Sequence, residues 1–376
     1  MAIARSNEER LATMIEVVLR AAAFVIGFVL VVVFFQSVLR VAVVNRQRGD
    51  PLALMCGSLA YAAIARVASR RHSYERIQDA LAWVFPLYFL LLIATWFLLV
   101  QAGFSLMIWS LQAERNPLQA VISSGSALST LGFLTPPNLA GQLLAIPEGA
   151  FGLGIVVFFF TFIPGYQTTI QIREMKVAWF YARGGVSPTA PSFVSWLQRS
   201  GKADDMTPVW EDWETWFRLL IESHSLAPVL AVVPSVHRGQ SWLVAAAGML
   251  DTASFWLSAL DFRDHAAANT CHATGVEALK LIAAQHRATP AHAATTSSAE
   301  PFSRGSFDAL SDQIAAMGAR VNSDRNAAWR AFVTLRHEYE DLLPPLAKSL
   351  LIPLDNSVLL PLATKYACSE ARDQSE

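Results

Sequence analysis

Charge is scarce in this chain. Only 16% of its 376 residues are Asp, Glu, Lys or Arg, against about a quarter in ordinary soluble domains. The net charge is −1, so no basic field points to nucleic acid, and none is expected as a partner. Cysteine is nearly absent. Cys56, Cys271 and Cys368 are far apart and give neither a disulfide framework nor a metal-ligand spacing. There is no glycine-rich phosphate loop, no HExxH and no CxxC. His224 and His272 are isolated and read as structural histidines. No catalytic constellation emerges, so an enzyme is not expected, nor is a bound cofactor. Alternating strand patterns are also missing, and so is an arginine ladder of the kind a voltage sensor carries.

What the chain has instead is apolar length. Residues 21–39 lie uncharged between Arg20 and Arg40. No charge occurs from Ala80 to Ala113, or from Gly149 to Ile172. At 1.5 Å per residue, helices of this length fit a hydrocarbon core of about 30 Å. Three crossings of a lipid bilayer are therefore predicted. The first reads as a retained anchor rather than a cleaved signal peptide, because its apolar run is long and no small-residue cleavage site comes after it.

Residues 51–68 are a fourth candidate, rich in small residues and interrupted by Arg66. Seven arginines between Arg40 and Arg76 face only Asp50 and Glu75. Such segments stay cytoplasmic. Read first as an interfacial helix, 51–68 leaves the N-terminus outside; read as a crossing, it puts both termini inside. Either way, the chain from Arg173 to Glu376 lies in the cytoplasm of a multi-pass cell-membrane protein.

The segment between the second and third long runs is too apolar for a solvated loop. Asn116-Pro117 has the form of a helix start, cap and then Pro at the first helical position. A short helix is predicted over Pro117–Leu128, succeeded by Ser129-Thr130-Leu131-Gly132-Phe133-Leu134 and then Pro136. Irregular backbone at membrane depth is tolerated only where protein buries it or it lines a water-filled path.

This order of crossing, short helix, Thr-aliphatic-Gly-aromatic and crossing resembles the pore-loop potassium channels with two helices around each pore loop. It is similar in particular to bacterial proteins described as two-pore-domain-type potassium channels, whose last helix ends in an aliphatic-Pro-x-Tyr signature matched here by Ile163-Pro164-Gly165-Tyr166. The likeness covers roughly residues 80–175. It departs at Leu134, where the family filter has a second glycine. It implies a passive cation channel, with potassium the expected ion. Ser129, Thr130, Leu131, Gly132 and Phe133 would offer filter oxygens, and Phe133 would wedge the strand against the pore helix. One such loop per chain implies a homotetramer. Leu134 puts the outermost ion site and the K⁺ over Na⁺ preference in question. Two other readings remain: a potassium-uptake transporter subunit, or a non-conducting membrane sensor or scaffold.

In the third run, Gly149, Gly152 and Gly154 read either as a hinge and a close approach to the pore helix or as small-residue packing in lipid. Phe159 is a candidate constriction. Pro164 can kink or end the helix. Glu148 is placed at the start of this helix, either as a favourable charge on its dipole or as a carboxylate that attracts cations near the filter.

From Arg173 onward there are 18 basic and 22 acidic residues, an ordinary soluble balance with helical apolar spacing. Trp210, Trp213 and Trp216 fall on one helical face. Residues 241–261 read as a buried helix carrying Asp251. An unidentified cytoplasmic ligand or regulator is an open expectation. The fold expected is thus all-α and membrane-integral: three or four transmembrane helices, a re-entrant pore helix with its filter loop, and a helical cytoplasmic domain. The segments are 1–50 with the first crossing, 51–79 basic, 80–175 pore domain, 176–285 helical domain, 286–305 flexible linker and 306–376 C-terminal helices.

Overall fold

A computed structural model describes residues 2–42, 49–114, 116–200, 206–261, 265–286 and 302–362. Most of the expected linker, 287–301, lies outside the described residues. So do 363–376 with Cys368, and 43–48 of the basic segment. The described residues are helical, with a single isolated bridge between Leu260 and Val321. Four helical stretches are long and apolar enough to cross a membrane: Thr13–Ala42, Pro51–Ala68, Tyr74–Ser110 and Leu139–Gly184.

Two compact units divide the chain. The first comprises Met1–Gly57 and Pro86–Gln167, the second Ser58–Phe85 and Thr168–Glu376. The first unit contains α1 (Ala2–Ala42), the start of α2 (Pro51–Ala68), nearly all of α4 (Val84–Ser110), α5 (Pro117–Leu128) and the first part of α6 (Leu139–Gly184). Its exterior is apolar: Phe28, Leu90, Leu98, Leu153 and Phe160 are all exposed. Inside, α1 and α4 cross at two glycines. A Cβ built on Gly27 would lie 2.5 Å from the Gly103 carbonyl, and one on Gly103 would lie 2.8 Å from the Gly27 carbonyl. Close backbone approach between small residues is how apolar helices associate in lipid. A polar knot ties the same unit: Trp96 Nε1 donates to Ser37 Oγ at 2.9 Å, and Ser37 donates to buried Asp50 at 2.8 Å. Asp50 in turn accepts from the Ala53 amide near the start of α2.

The second unit is built around α9 (Trp242–Ala259), in which every residue but Leu257 is buried. Helices α7 (Ala190–Ser200), α10 (Ala266–Gln285), α12 (Arg325–His337) and α13 (Leu343–Ser349) pack on it, and α8 (Thr207–Leu226) packs on α10. Trp210, Trp213 and Trp216 are all buried on the inner face of α8, and Trp216 Nε1 donates to the Arg173 carbonyl at 3.1 Å. Residues 241–261 form the buried helix expected of them. Asp251 is not stranded in an apolar core: Arg336 pairs with it and Tyr339 donates to it at 2.6 Å. Arg336 also holds the carbonyls of Val358 and Leu360, and Glu340 accepts from the Leu362 amide at 2.8 Å. This cluster fastens residues 357–362 to the unit.

Helix α3 (Tyr74–Leu81) belongs to the second unit as well. Gln78 donates to the Gln240 carbonyl and accepts from the Gly239 amide, both at 2.7 Å. Within that unit, Tyr61 of α2 donates to the Ser349 carbonyl.

Candidate functional site

The candidate site is the turn after α5. Its helix forms for the reasons visible in the residues. The Asn116 side chain accepts from the Leu118 amide at 3.0 Å, and Pro117 fills the position whose N–H no helix uses. The other end is closed by hydroxyls. Ser129 Oγ donates to the Gly125 carbonyl at 2.6 Å, and the Thr130 amide donates to Ala127 at 2.9 Å.

Beyond Leu128 the chain leaves the helix through two left-handed residues, Thr130 at φ +60° and Gly132 at φ +66°. For a residue with a Cβ this region costs about 1–2 kcal/mol. Thr130 therefore carries backbone strain, while Gly132 takes the conformation freely. Nothing lies within 4 Å of a Cβ built on Gly132, so its requirement is conformational and not one of space. Ser126 fixes the turn from below. Its carbonyl accepts from the Gly132 amide at 3.1 Å, and its hydroxyl accepts from the Leu134 amide at 2.9 Å. Leu134 is not among the left-handed residues.

Among the described residues, no hydrogen-bond donor reaches the carbonyls of Ser129 to Phe133. Residues 129–135 are exposed in the single chain. This corrects one expectation. Phe133 does not wedge against α5; it is 66% exposed, and Leu131 is 73% exposed.

The placement of Glu148 is a second correction. Helix α6 begins at Leu139, where Asn138 Oδ1 accepts from the Gly141 amide at 2.8 Å. Glu148 is therefore inside the helix, not at its start, and its side chain is fully buried. It shares a hydrogen bond with Ser124 Oγ of α5, and its second oxygen has no partner among the described residues. Ser124 Oγ also reaches the Gln101 carbonyl of α4 at 3.1 Å.

The glycines of α6 separate into two kinds. A Cβ on Gly152 would overlap the Leu128 carbonyl, and one on Gly149 would sit 3.3 Å from the Ala127 carbonyl. Both mark a close approach of α6 to the last turn of α5. Gly154 meets nothing within 4 Å. Phe159 packs on Phe89 of α4 at 4.5 Å between ring centroids, whereas its neighbour Phe160 is exposed. Helix α6 continues through Pro164 to Gly184, so that proline does not end it.

The structure thus brings Glu148, Gly149 and Gly152 together at the end of α5, next to the turn 129–134. It does not bring Gly154, Phe159 or Pro164 there. Sequence reasoning missed Ser124, Ser126 and Gln101. Their signal was the hydroxyl run Ser123-Ser124-Gly125-Ser126 in an apolar helix, and a glutamine in the middle of an uncharged run.

In the second unit, His224 and His272 are buried and take structural contacts. His224 Nδ1 lies 2.8 Å from the Leu220 carbonyl, and its ring packs on Trp242. Burial, with nearby Arg173 adding to it, holds the His224 imidazole down to about 3; burial holds His272 down to about 4. Burial likewise pushes the Asp251 carboxyl upward, against the pull of Arg336. Among the described residues no group of three or more His, Cys, Asp or Glu side chains is arranged to hold a metal ion.

Set against known proteins, the chain matches no family model, no curated protein and no solved structure.

Proposed function

We propose that the chain is one subunit of a passive cation channel, with potassium the principal ion and residues 129–133 lining the pathway. The observation that carries this reading is the turn after α5. Five successive carbonyls accept no hydrogen bond from a described donor, in a backbone that passes through the left-handed region at Thr130 and Gly132. Carbonyls in that state can replace the hydration shell of a partly dehydrated cation. The negative end of the α5 dipole faces the same turn, which favours positive charge there.

The surroundings support the same reading. The turn lies between two helices apolar and long enough to cross a bilayer. Its apolar side chains, Leu131, Phe133 and Leu134, stay uncovered in one chain. A closed ring of four copies would cover them and place four turns around one axis. The arginine-rich segment and the second unit fall on the cytoplasmic side. Tyr61 and Gln78 hold residues 58–85 to that unit by hydrogen bonds, which favours 51–68 lying along the interface over a fourth crossing. With Leu134 in place of a second glycine, discrimination of K⁺ from Na⁺ is expected to be moderate.

The test is flux from liposomes holding the purified full chain, under K⁺ or Na⁺ gradients, for wild type and Gly132→Ala. Alanine at a left-handed position costs about 1–2 kcal/mol, small enough for the protein to fold and large enough to displace the turn. K⁺ flux that falls at least tenfold in the variant, with helix content unchanged, supports the reading. Absence of wild-type flux, or equal flux in both proteins, rejects it.

A further inference from the structure

Among the described residues of the first unit, Glu148 is a buried ionisable group whose chemistry its surroundings leave incomplete. Its side chain is fully buried in a helix apolar enough to span a bilayer, where ionisable residues are functional by default. Among the described residues no basic side chain pairs with it, and one of its oxygens has no partner. The groups facing it are neutral: Ser124 of α5, and behind that the Gln101 carbonyl of α4. Ser123, adjacent on α5, has a buried hydroxyl that is also without a partner among the described residues.

Counting protons decides between its two forms. Ser124 has one hydroxyl proton and two oxygens in reach, Glu148 Oε1 and the Gln101 carbonyl. If Glu148 is neutral, it donates to Ser124, and Ser124 donates to Gln101. Both contacts are then satisfied, and the remaining carboxyl oxygen is an uncharged acceptor. If Glu148 is ionised, Ser124 can serve only one of the two oxygens. A buried carboxylate then keeps an unpaired oxygen, which is strongly unfavourable.

We propose that Glu148 is a proton-binding switch. It is held as the neutral acid in this packing, and when it loses its proton it loosens α6 from the end of α5. The leverage is local. Gly149 and Gly152, on the same helix, press against the Ala127 and Leu128 carbonyls, and the next residues are the turn 129–134. A carboxylate at this position needs water or a cation, and admitting either requires that contact to open. The inference deepens the proposed function, since it assigns a regulation to the pathway of residues 129–133 and rests on that reading for its effect on flux.

Two measurements test it on the full chain. In liposomes, K⁺ flux of wild type is tracked across a pH series beside Glu148→Gln, which stays neutral and nearly isosteric. The expected result is a one-proton profile, changing by up to about tenfold per pH unit, in wild type only. Glu148→Gln keeps the acid-side flux throughout. A variant that retains the wild-type pH profile overturns the proposal. The second measurement does not depend on conduction: infrared spectroscopy of the same two proteins at neutral pH. A protonated-carboxyl stretch present in wild type and missing in Glu148→Gln is expected, and its absence in wild type overturns the proposal. Should wild type carry no flux at any pH, the channel reading fails, and the infrared band still decides whether Glu148 holds a proton.

Discussion

Two buried carboxylic acids lie in apolar helical stretches, Glu148 in the first part of α6 and Asp251 in α9, and the structure treats them differently. Asp251 in α9 is met by Arg336, by the Tyr339 hydroxyl and, through Arg336, by a cluster that includes Glu340. Glu148 in α6 is met by one serine. Both are fully buried. A charge supplied with a cation and donors is part of the core's architecture. A carboxyl supplied with one hydroxyl has a stable home only while it holds a proton. The comparison separates a structural acid from a candidate working one, and the number of donors makes the distinction that burial alone does not.

The largest effect is expected at Arg336. Arg336→Met strands Asp251 and Glu340 without their cation, and removing one partner of a buried pair costs about 3–5 kcal/mol. Thermal unfolding of the full chain in detergent should show a large drop in Tm. Adding Asp251→Asn should recover part of it; a double variant no more stable than the single one would show that the pair is not coupled. Next in size is Gly152→Ala. A Cβ there overlaps the Leu128 carbonyl, and overpacking of this kind costs about 1–3 kcal/mol. The same substitution at Gly154, where nothing lies near, should be close to neutral in Tm.

The buried histidines add a pH effect. His224 and His272 are held in the fold below their ordinary value of 6.5, to about 3 and about 4. The unfolded chain therefore binds more protons than the folded one as pH falls. Stability from these groups is present above about 6.5 and is lost as pH drops from there towards 4, at up to about 1.4 kcal/mol per pH unit for each. His224→Gln should flatten the acid side of the Tm profile; an unchanged slope would place the acid sensitivity elsewhere. A small effect is expected at Glu148→Gln, with stability within about 1 kcal/mol of wild type, since it replaces a neutral acid with a neutral amide. A large loss would mean that the charged form is the one the fold holds.

Much of the local structure is legible directly in residue types. Asn116-Pro117 marks the first turn of α5, and the helix runs over Pro117–Leu128 as expected. The tryptophan spacing puts Trp210, Trp213 and Trp216 on one buried face. The apolar runs locate helices capable of spanning a membrane, and Pro51–Ala68 joins them by length and composition. Long-range pairings are not legible, because they depend on which faces meet. Nothing local tells that Gly27 opposes Gly103, that Arg336 reaches Asp251, or that Ser124 reaches Glu148. The start of α6 is misleading for a simpler reason. The uncharged run begins only after Glu148, yet the helix starts at Leu139 behind Asn138 and passes through both Pro147 and Pro164. Phe133 departs from expectation because the turn leaves its side chain 66% exposed, away from α5.

Passage of ions along residues 129–133 is put to the test by planar-bilayer recording. Purified wild-type protein under a K⁺ gradient opposed by Na⁺ should give unitary currents that reverse on the potassium side of zero. Gly132→Ala should abolish those currents or remove their preference. Silent bilayers, or currents whose reversal and size are indifferent to Gly132, would contradict the account.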